Sequence, residues 1–344
     1  MLEDNAEPED ALYVSTGHLP SAAQVQRAVD DAYARYRTVA RGENSRVYPA
    51  LTEVASDLFG ISVVSITGNV YTAGDTDHPF TIMSVAKPFV FALVCQAIGT
   101  DRSRQRLGVN ATGLPFNSLA AVERGEDGTT NPMVNAGAIA ATSLARGATT
   151  DAKWRFIHEG LSRFAGRVLD VDERVYASAS ATNHINRGIA NLLASRRRIY
   201  CDPGEALDLY TRQSALTVTA TDLAVMGATL ADGGINPRTQ ARVVDTAACH
   251  AALAVMATAG LYETSGAWLY DVGMPGKSGI AGGIVTISPG KGSLGTFAPP
   301  LDTAGNSVRG QLVARSLSRR LGLSLFLSRP YDWAERSAAA DRSV

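Results

Sequence analysis

The chain has 344 residues, of which 45% are hydrophobic, so it can bury a sizeable core as one large domain or two ordinary ones. Lysine and arginine number 32 against 33 acidic residues, which leaves a formal net charge of −1 and argues against nucleic acid or an anionic membrane as a partner. No apolar run is long enough to span a bilayer, and the acidic N-terminus lacks the features of a signal peptide. We therefore expect a cytoplasmic protein.

The cysteine and histidine positions indicate neither a disulfide framework nor a metal site. The three cysteines are odd in number and lack metal-type spacing: Cys95, Cys201 and Cys249. The five histidines have no paired spacing either: His18, His78, His158, His184 and His250. We expect reduced, structural cysteines, no bound metal and no cofactor.

The first predicted element is a helix that follows a polar segment. Residues 1–20 are polar and are expected to be loose. Ser21 and Gln24 form a capping box, so a helix should begin there and run to about Ala40. The next predicted element is a hairpin, with strands over 61–67 and 70–72 joined by the two-residue turn Gly68-Asn69.

Residues 80–99 predict a helix that other elements enclose. From 85 to 98 the stretch is apolar on every side apart from Lys87 and one glutamine, which is typical of a buried helix. Proline is tolerated only in the first turn of a helix, so Pro88 indicates that the helix begins near Ser84. We expect this helix to be the central one of the fold.

Ser84 and Lys87 are three residues apart and therefore share one face of that first turn. A serine becomes a nucleophile when a neighbour takes its proton, and a lysine can do so when burial lowers its pKa. The Ser-x-x-Lys pattern also arises by chance in long chains. A purely structural interpretation must nevertheless explain an ammonium group within an apolar helix.

Helices and then strands are predicted over the rest of the chain. Helical patterns between residues 102 and 262 are centred on six segments: 134–146, 151–165, 184–195, 204–213, 221–231 and 241–259. Strands return after Gly276 as a second hairpin, with strands over 282–288 and 293–298 and the turn 289–292. Asn306 and Ser307 then cap a final helix over 308–321, and the tail beyond Pro330 is expected to fray.

Strands near both ends with helices between them predict an α+β fold, in which an antiparallel sheet flanked by helices carries an all-helical insertion. We expect four parts of the chain: a loose segment 1–20, a sheet domain from 21–99 and 263–325, a helical domain 100–262 and a tail 326–344.

Several motifs, in order along the chain, resemble the serine-dependent, β-lactamase-like glutaminases over roughly residues 25–325. Lys277-Ser278-Gly279 looks like the Lys-Thr-Gly element that β-lactamases pair with Ser-x-x-Lys. The resemblance rests further on G-L-P-F-N-S at 113–118, N-P-M-V-N-A-G-A-I at 131–139, V-D-E-R-V-Y-A-S at 171–178, N-R-G-I-A-N-L-L at 186–193, L-D-L-Y at 207–210, G-L-Y at 260–262, V-G-M-P-G-K-S-G-I-A-G-G-I-V at 272–285, P-G-K-G at 289–292 and G-N-S-V-R-G at 305–310.

The resemblance implies a β-lactamase/transpeptidase-like fold, hydrolysis of L-glutamine to glutamate and ammonia, and a homo-oligomer such as a dimer or tetramer. It makes Ser84 the nucleophile, Lys87 its base, and Tyr210 and Tyr262 proton shuttles. It further implies that the following groups bind the substrate: the side chains of Asn135 and Asn186, and an oxyanion hole made by the backbone N–H groups of Ser84 and Ile280.

Each of these residues also has a plain structural interpretation. Tyr210 or Tyr262 could be a half-buried packing residue with a satisfied hydroxyl. Asn135 could be the N-cap of an apolar helix. Lys277 could be a solvated lysine in a turn.

The chain departs from the family pattern most clearly at Ala179, where the family has a glutamate that binds the α-ammonium of glutamine. Smaller departures are Met83, where a polar glutamine is usual, Ile185, where a basic residue is usual, and Asn191, where an aromatic residue is usual. Tyr48 is displaced by one residue from the family's tyrosine and receives no role. The catalytic residues persist, so these differences concern recognition.

Three other functions compete with a glutaminase. An altered pocket fits a family member with a different amide substrate, or a catalytically silent one that binds a ligand. A penicillin-interactive enzyme is disfavoured because the chain has no export signal and no convincing Ser-Asp-Asn element.

Overall fold

The computed structural model describes residues 19–328, in which the strands come from three parts of the chain, within 60–81, 217–218 and 276–297. They are β1 (Gly60–Ser65), β2 (Val70–Gly74), β3 (Phe80–Thr81), β4 (Thr217–Val218), β5 (Gly276–Ser278), β6 (Gly283–Ser288) and β7 (Gly292–Phe297). Five of them form an antiparallel sheet in the order β2-β1-β7-β6-β5. Gly60 and Gly283 both lie opposite Phe297, so the C-terminal hairpin extends the N-terminal one.

Helices fill the chain between and around these strands. In the described residues they are α1 (Ala22–Tyr36), α2 (Ala86–Ile98), α3 (Thr100–Leu107), α4 (Ala120–Arg124), α5 (Asn135–Ser143), α6 (Thr150–Ala165), α7 (Glu173–Thr182), α8 (His184–Ser195), α9 (Pro203–Ser214), α10 (Ala220–Ala231), α11 (Thr246–Ala259), α12 (Ser265–Val272) and α13 (Val308–Arg320). The predicted α+β class, an antiparallel sheet flanked by helices, is confirmed.

Both faces of the sheet are covered, because every residue of β1, β6 and β7 is buried. Side chains alternate along a strand, so Ile61 and Val63 point to one face and pack with α1 and α13. Val64 points to the other face and packs against Ala224 and Val225 of α10.

Helix α2 is buried as the sequence predicts, with every residue from Ala86 to Cys95 buried. It packs against α5, α6 and α11, which enclose it on several sides. A single 3₁₀ turn, Met83–Val85, precedes the helix, and Pro88 lies in the first turn. The start predicted near Ser84 is therefore correct to within two residues.

The predicted caps are present at both ends of the chain. Ser21 and Gln24 exchange the capping-box hydrogen bonds, although α1 ends at Tyr36 and not near Ala40. The Ser307 hydroxyl accepts from the Gly310 N–H at the start of α13. Asn306 does not cap; it accepts a hydrogen bond from Ser278.

Other boundaries differ from those predicted. The first hairpin has a connection of four residues, 66–69, in place of a two-residue turn. The segment predicted over 241–259 becomes helical only at Thr246, because Asp245 caps it. Four helices were not among the predicted segments: α3 and α7, whose polar and small residues show no apolar period, and α4 and α12.

The domain boundaries stay a prediction, with one qualification from packing. Helix α10 lies within the range 100–262 yet packs on β1, β6 and β7. The segment 1–20 and the tail 326–344 lie mostly outside the described residues.

Within residues 19–328, no helix is long and apolar enough to cross a membrane, and no cluster of side chains has the composition of a metal site.

Candidate active site

Ser84 lies on the strained turn that leads into the buried helix. Met83, directly before it, has a φ of 47°, a left-handed conformation that is costly for a residue with a long side chain. The turn follows β3, and the Ile82 N–H donates at 2.8 Å to the carbonyl of Leu216, the residue before the partner strand β4. Ser84 is 8% exposed and lines a cavity, so its hydroxyl is accessible from one side only.

Lys87 lies one helical turn further on and is buried. Its Nζ donates to Asn135 Oδ1 at 2.7 Å and to the Met133 carbonyl at 3.4 Å. Burial lowers the pKa of Lys87 to about 7. In a neutral amine these two bonds use both hydrogens and leave the lone pair to accept a proton.

Asn135 begins a chain of side-chain amides that ends on α9. Its Nδ2 donates to Asn186 Oδ1 at 2.8 Å, Asn186 Nδ2 donates to Asn183 Oδ1 at 2.5 Å, and Asn183 Nδ2 donates to Thr211 Oγ1 at 2.9 Å. The N-cap of α5 is Val134, so the alternative that Asn135 is an N-cap is wrong. The asparagine side chain instead holds Lys87.

Tyr210 is bound to the same amide from the other side. Its hydroxyl donates to Asn135 Oδ1 at 3.1 Å, and its ring lies 5.9 Å from Lys87 Nζ. Burial raises the pKa of Tyr210 well above its usual value, and the nearby Ser84 hydroxyl opposes that rise. Tyr210 therefore keeps its proton at neutral pH and has Ser84 as a neighbour.

Tyr262 approaches Ser84 from a second direction. It has a φ of 57°, and its ring packs on Phe116 with centroids 4.6 Å apart. Its hydroxyl donates to the Ser278 carbonyl at 3.3 Å. Burial raises the pKa of Tyr262 to about 12, and the nearby Ser278 and Ser84 oppose that rise. Neither tyrosine is a half-exposed packing residue.

Lys277 supports Tyr262 from below. It is fully buried on β5, with its Nζ 4.2 Å from the centre of the Tyr262 ring. The amine donates to the carbonyls of Gly260 and Ser278, each at 2.8 Å. Burial, and then the charge of Lys87, hold the pKa of Lys277 well below its usual value. The alternative of a solvated turn lysine is therefore wrong.

Ile280 follows β5 in a turn packed against the Ser84 turn. A Cβ on Gly279 would come within 3.1 Å of the Ile82 carbonyl oxygen, so only glycine permits this approach without displacement. Within the described residues, the N–H groups of Ser84 and Ile280 donate to no other residue. Both are thus available to a ligand in the cavity.

The cavity above Ser84 has a volume of about 270 Å³. Five of the predicted site residues line it, while Lys87 and Tyr262 lie behind the lining: Ser84, Asn135, Asn186, Tyr210 and Ile280. The structure thus brings together all seven predicted residues, from six separate stretches of the chain.

A glutaminase family model matches residues 42–326, which is most of the chain. The chain belongs to the glutaminase family.

Among its relatives is "Glutaminase 2" of Yersinia pestis, 64% identical over 319 residues, which cover 93% of this chain and 94% of the relative. The "Glutaminase" of Colwellia psychrerythraea is 44% identical over 307 residues, covering 89% of this chain and 99% of the relative. Of the solved structures, "Probable glutaminase ybaS" superposes with a TM-score of 0.88 at 41% identity, covering 90% of this chain and all of the other. These likenesses confirm the predicted β-lactamase-like glutaminase fold.

In this glutaminase the cavity also includes residues that were not predicted to belong to the site. Tyr48 lines the wall beside Tyr210, and burial raises its pKa. Phe116 lies between the cavity and Tyr262, and its carbonyl accepts from the Asn135 N–H at 2.8 Å. Asn183 extends the amide chain. Phe116 falls within the G-L-P-F-N-S motif, which could have suggested it; no comparable signal pointed to Asn183.

The departure at Ala179 also falls on the cavity wall. Ala179 is buried on α7 and lines the cavity with Val175, one turn earlier on the same helix, and with Ile185 at the start of α8. This side of the glutaminase pocket is therefore apolar.

Proposed function

We propose that this protein hydrolyses L-glutamine to L-glutamate and ammonia through an acyl-enzyme on Ser84. The observation that carries the proposal is the buried Lys87 amine, one helical turn from Ser84, with both of its hydrogens engaged and its pKa lowered to about 7. The relatives with glutaminase in their names support glutamine as the substrate.

In the first step Ser84 Oγ attacks the carbon of the side-chain amide and its proton passes to Lys87 Nζ. The oxygen of the tetrahedral intermediate carries the developing negative charge, which the N–H groups of Ser84 and Ile280 stabilise. The C–N bond then breaks, and the leaving nitrogen takes the proton from Lys87 Nζ and departs as ammonia.

In the second step water attacks the ester carbon and gives a proton back to the amine. The C–O bond to Ser84 breaks, which releases glutamate and restores the serine. Tyr210 and Tyr262 remain protonated because burial raises their pKa values, so they donate and pass protons between Ser84, the lysine and the leaving nitrogen. The second hydrogens on Asn135 Nδ2 and Asn186 Nδ2 bind the carboxylate end of the substrate.

The test compares ammonia release from L-glutamine by the wild type, Ser84→Ala and Lys87→Ala, with circular dichroism to verify the fold. Residues that act as one catalytic unit lose nearly all activity when either is removed, so each variant should fall by at least about a thousandfold. A Lys87 variant that kept most of its activity would contradict the assignment of the base.

The predicted homo-oligomer and cytoplasmic location stay predictions; light scattering of the purified chain tests the oligomeric state.

A further inference from the structure

The cavity wall formed by Val175, Ala179 and Ile185 has no group that pairs with a cation. Among the described residues that line the cavity there is no aspartate, glutamate, lysine or arginine. A free α-ammonium held against such a wall would lose hydration and gain no opposite charge, which is unfavourable.

Carboxylates close to this wall are already bound to other groups. Asp208 accepts a hydrogen bond from the Tyr176 hydroxyl at 2.5 Å, on the outer side of α7. Asp172 caps the same helix by accepting from the Val175 N–H at 2.9 Å. Neither carboxylate lines the cavity.

The side-chain amides of the site have N–H groups left to donate, whereas their oxygens already accept hydrogen bonds. Asn135 Oδ1 already accepts from Lys87 and Tyr210, Asn186 Oδ1 accepts from Asn135, and Asn183 Oδ1 accepts from Asn186. Each Nδ2 group, in contrast, has a second hydrogen. Donors of this kind bind a carboxylate and repel an ammonium, and the remaining acceptors on this side include only neutral groups such as the hydroxyls of Thr182 and Ser214.

We infer that the site recognises its substrate through the amide and the carboxylate and gains little from a charged α-amino group. Its substrate class is the short carboxylic acids that end in a primary amide, whether or not the carbon next to the carboxylate bears an ammonium. This inference rests on the proposed amide hydrolysis and specifies which part of glutamine the site binds.

The first test measures binding to Ser84→Ala, in which chemistry is blocked, by titration calorimetry. The ligands are L-glutamine and glutaramate, which is glutamine without its amino group. The two dissociation constants should agree within about tenfold, because no charge-assisted contact distinguishes them. Glutamine binding tighter by about a hundredfold or more, as a desolvated ion pair would give, overturns the inference.

The second test measures kcat/KM of the wild-type enzyme for the same two amides. It gives an answer even if the Ser84→Ala variant fails to fold. Similar values for the two amides support the inference, and a hundredfold preference for glutamine overturns it. Equal binding with no ammonia release from either amide would instead overturn the proposed function alone. If neither amide binds or reacts, both proposals are wrong.

Discussion

Lys87 Nζ and Asn135 Oδ1 are 2.7 Å apart, joined across 48 positions of sequence between the buried helix and the start of α5. The carboxamide holds the amine in place and carries no charge that would favour the ammonium form. Burial can therefore lower the pKa of the lysine to about 7 without an opposing ion pair.

The first prediction concerns the pH dependence of glutamine hydrolysis. Because Lys87 accepts a proton only when neutral, kcat/KM should fall as the pH drops through about 7. Well below that pH the fall should approach tenfold per unit. Initial rates of ammonia release between pH 5 and 9 measure this, and a flat profile would exclude Lys87 as the base.

The second prediction uses Asn135→Asp, which keeps the shape of the side chain and adds a negative charge beside Lys87. An opposite charge at hydrogen-bond distance favours the ammonium, so the acidic limb of the pH profile should move to higher pH by about one to three units. Activity at pH 7 should fall accordingly and recover in part at pH 9. An unchanged midpoint would show that Lys87 does not determine the profile.

A third prediction concerns stability. The folded pKa of Lys87, about 7, lies below its ordinary value of 10.5, so the unfolded chain binds more protons between these pH values and stability rises with pH there. Lys87→Met should therefore raise the melting temperature at pH 6 and raise it less at pH 9.5. The gain in the free energy of unfolding at pH 6 has an upper limit of roughly 5 kcal/mol. The loss of the hydrogen bonds that Lys87 makes reduces this gain. Thermal unfolding at both pH values measures the difference. An equal change at both would contradict a cost that arises from burying the charged amine.

The fourth prediction is that Ala179→Glu improves the use of L-glutamine. A carboxylate at this position would pair with the α-ammonium, a contact of about 2–5 kcal/mol when desolvated, or roughly one to three powers of ten in kcat/KM. The matched control is Ala179→Gln, which adds the same volume without charge, and glutaramate is the control substrate. Equal effects on both substrates, or equal effects of both variants, would show that Ala179 does not face the ammonium.

Local signals in the sequence predicted the fold well where a single residue type determines the backbone. Pro88 located the start of the central helix, Ser21 and Ser307 located two caps, and a β-rich run over 61–67 located the first strand. Helices α3 and α7 were not predicted because few of their side chains enter the core, so their sequences show no apolar period.

The sequence predicted which residues belong to the site and did not predict the hydrogen bonds that join them. The motifs identified Ser84 and Lys87 from a spacing within one turn. Hydrogen bonds such as that between Asn135 and Asn186 join positions 51 apart, and nothing local encodes them. The burial of Lys277 beneath Tyr262 likewise depends on β5 packing at the centre of the molecule.

The most direct test of the central claim, that Ser84 forms the acyl-enzyme, is covalent labelling with an electrophilic glutamine analogue followed by peptide mass spectrometry. The account predicts one label per chain, located on Ser84, lost in Ser84→Ala, slowed by L-glutamine and slowed below pH 7 as Lys87 becomes protonated. Labelling of another residue, or full glutamine hydrolysis by an enzyme whose Ser84 stays unmodified, would contradict it.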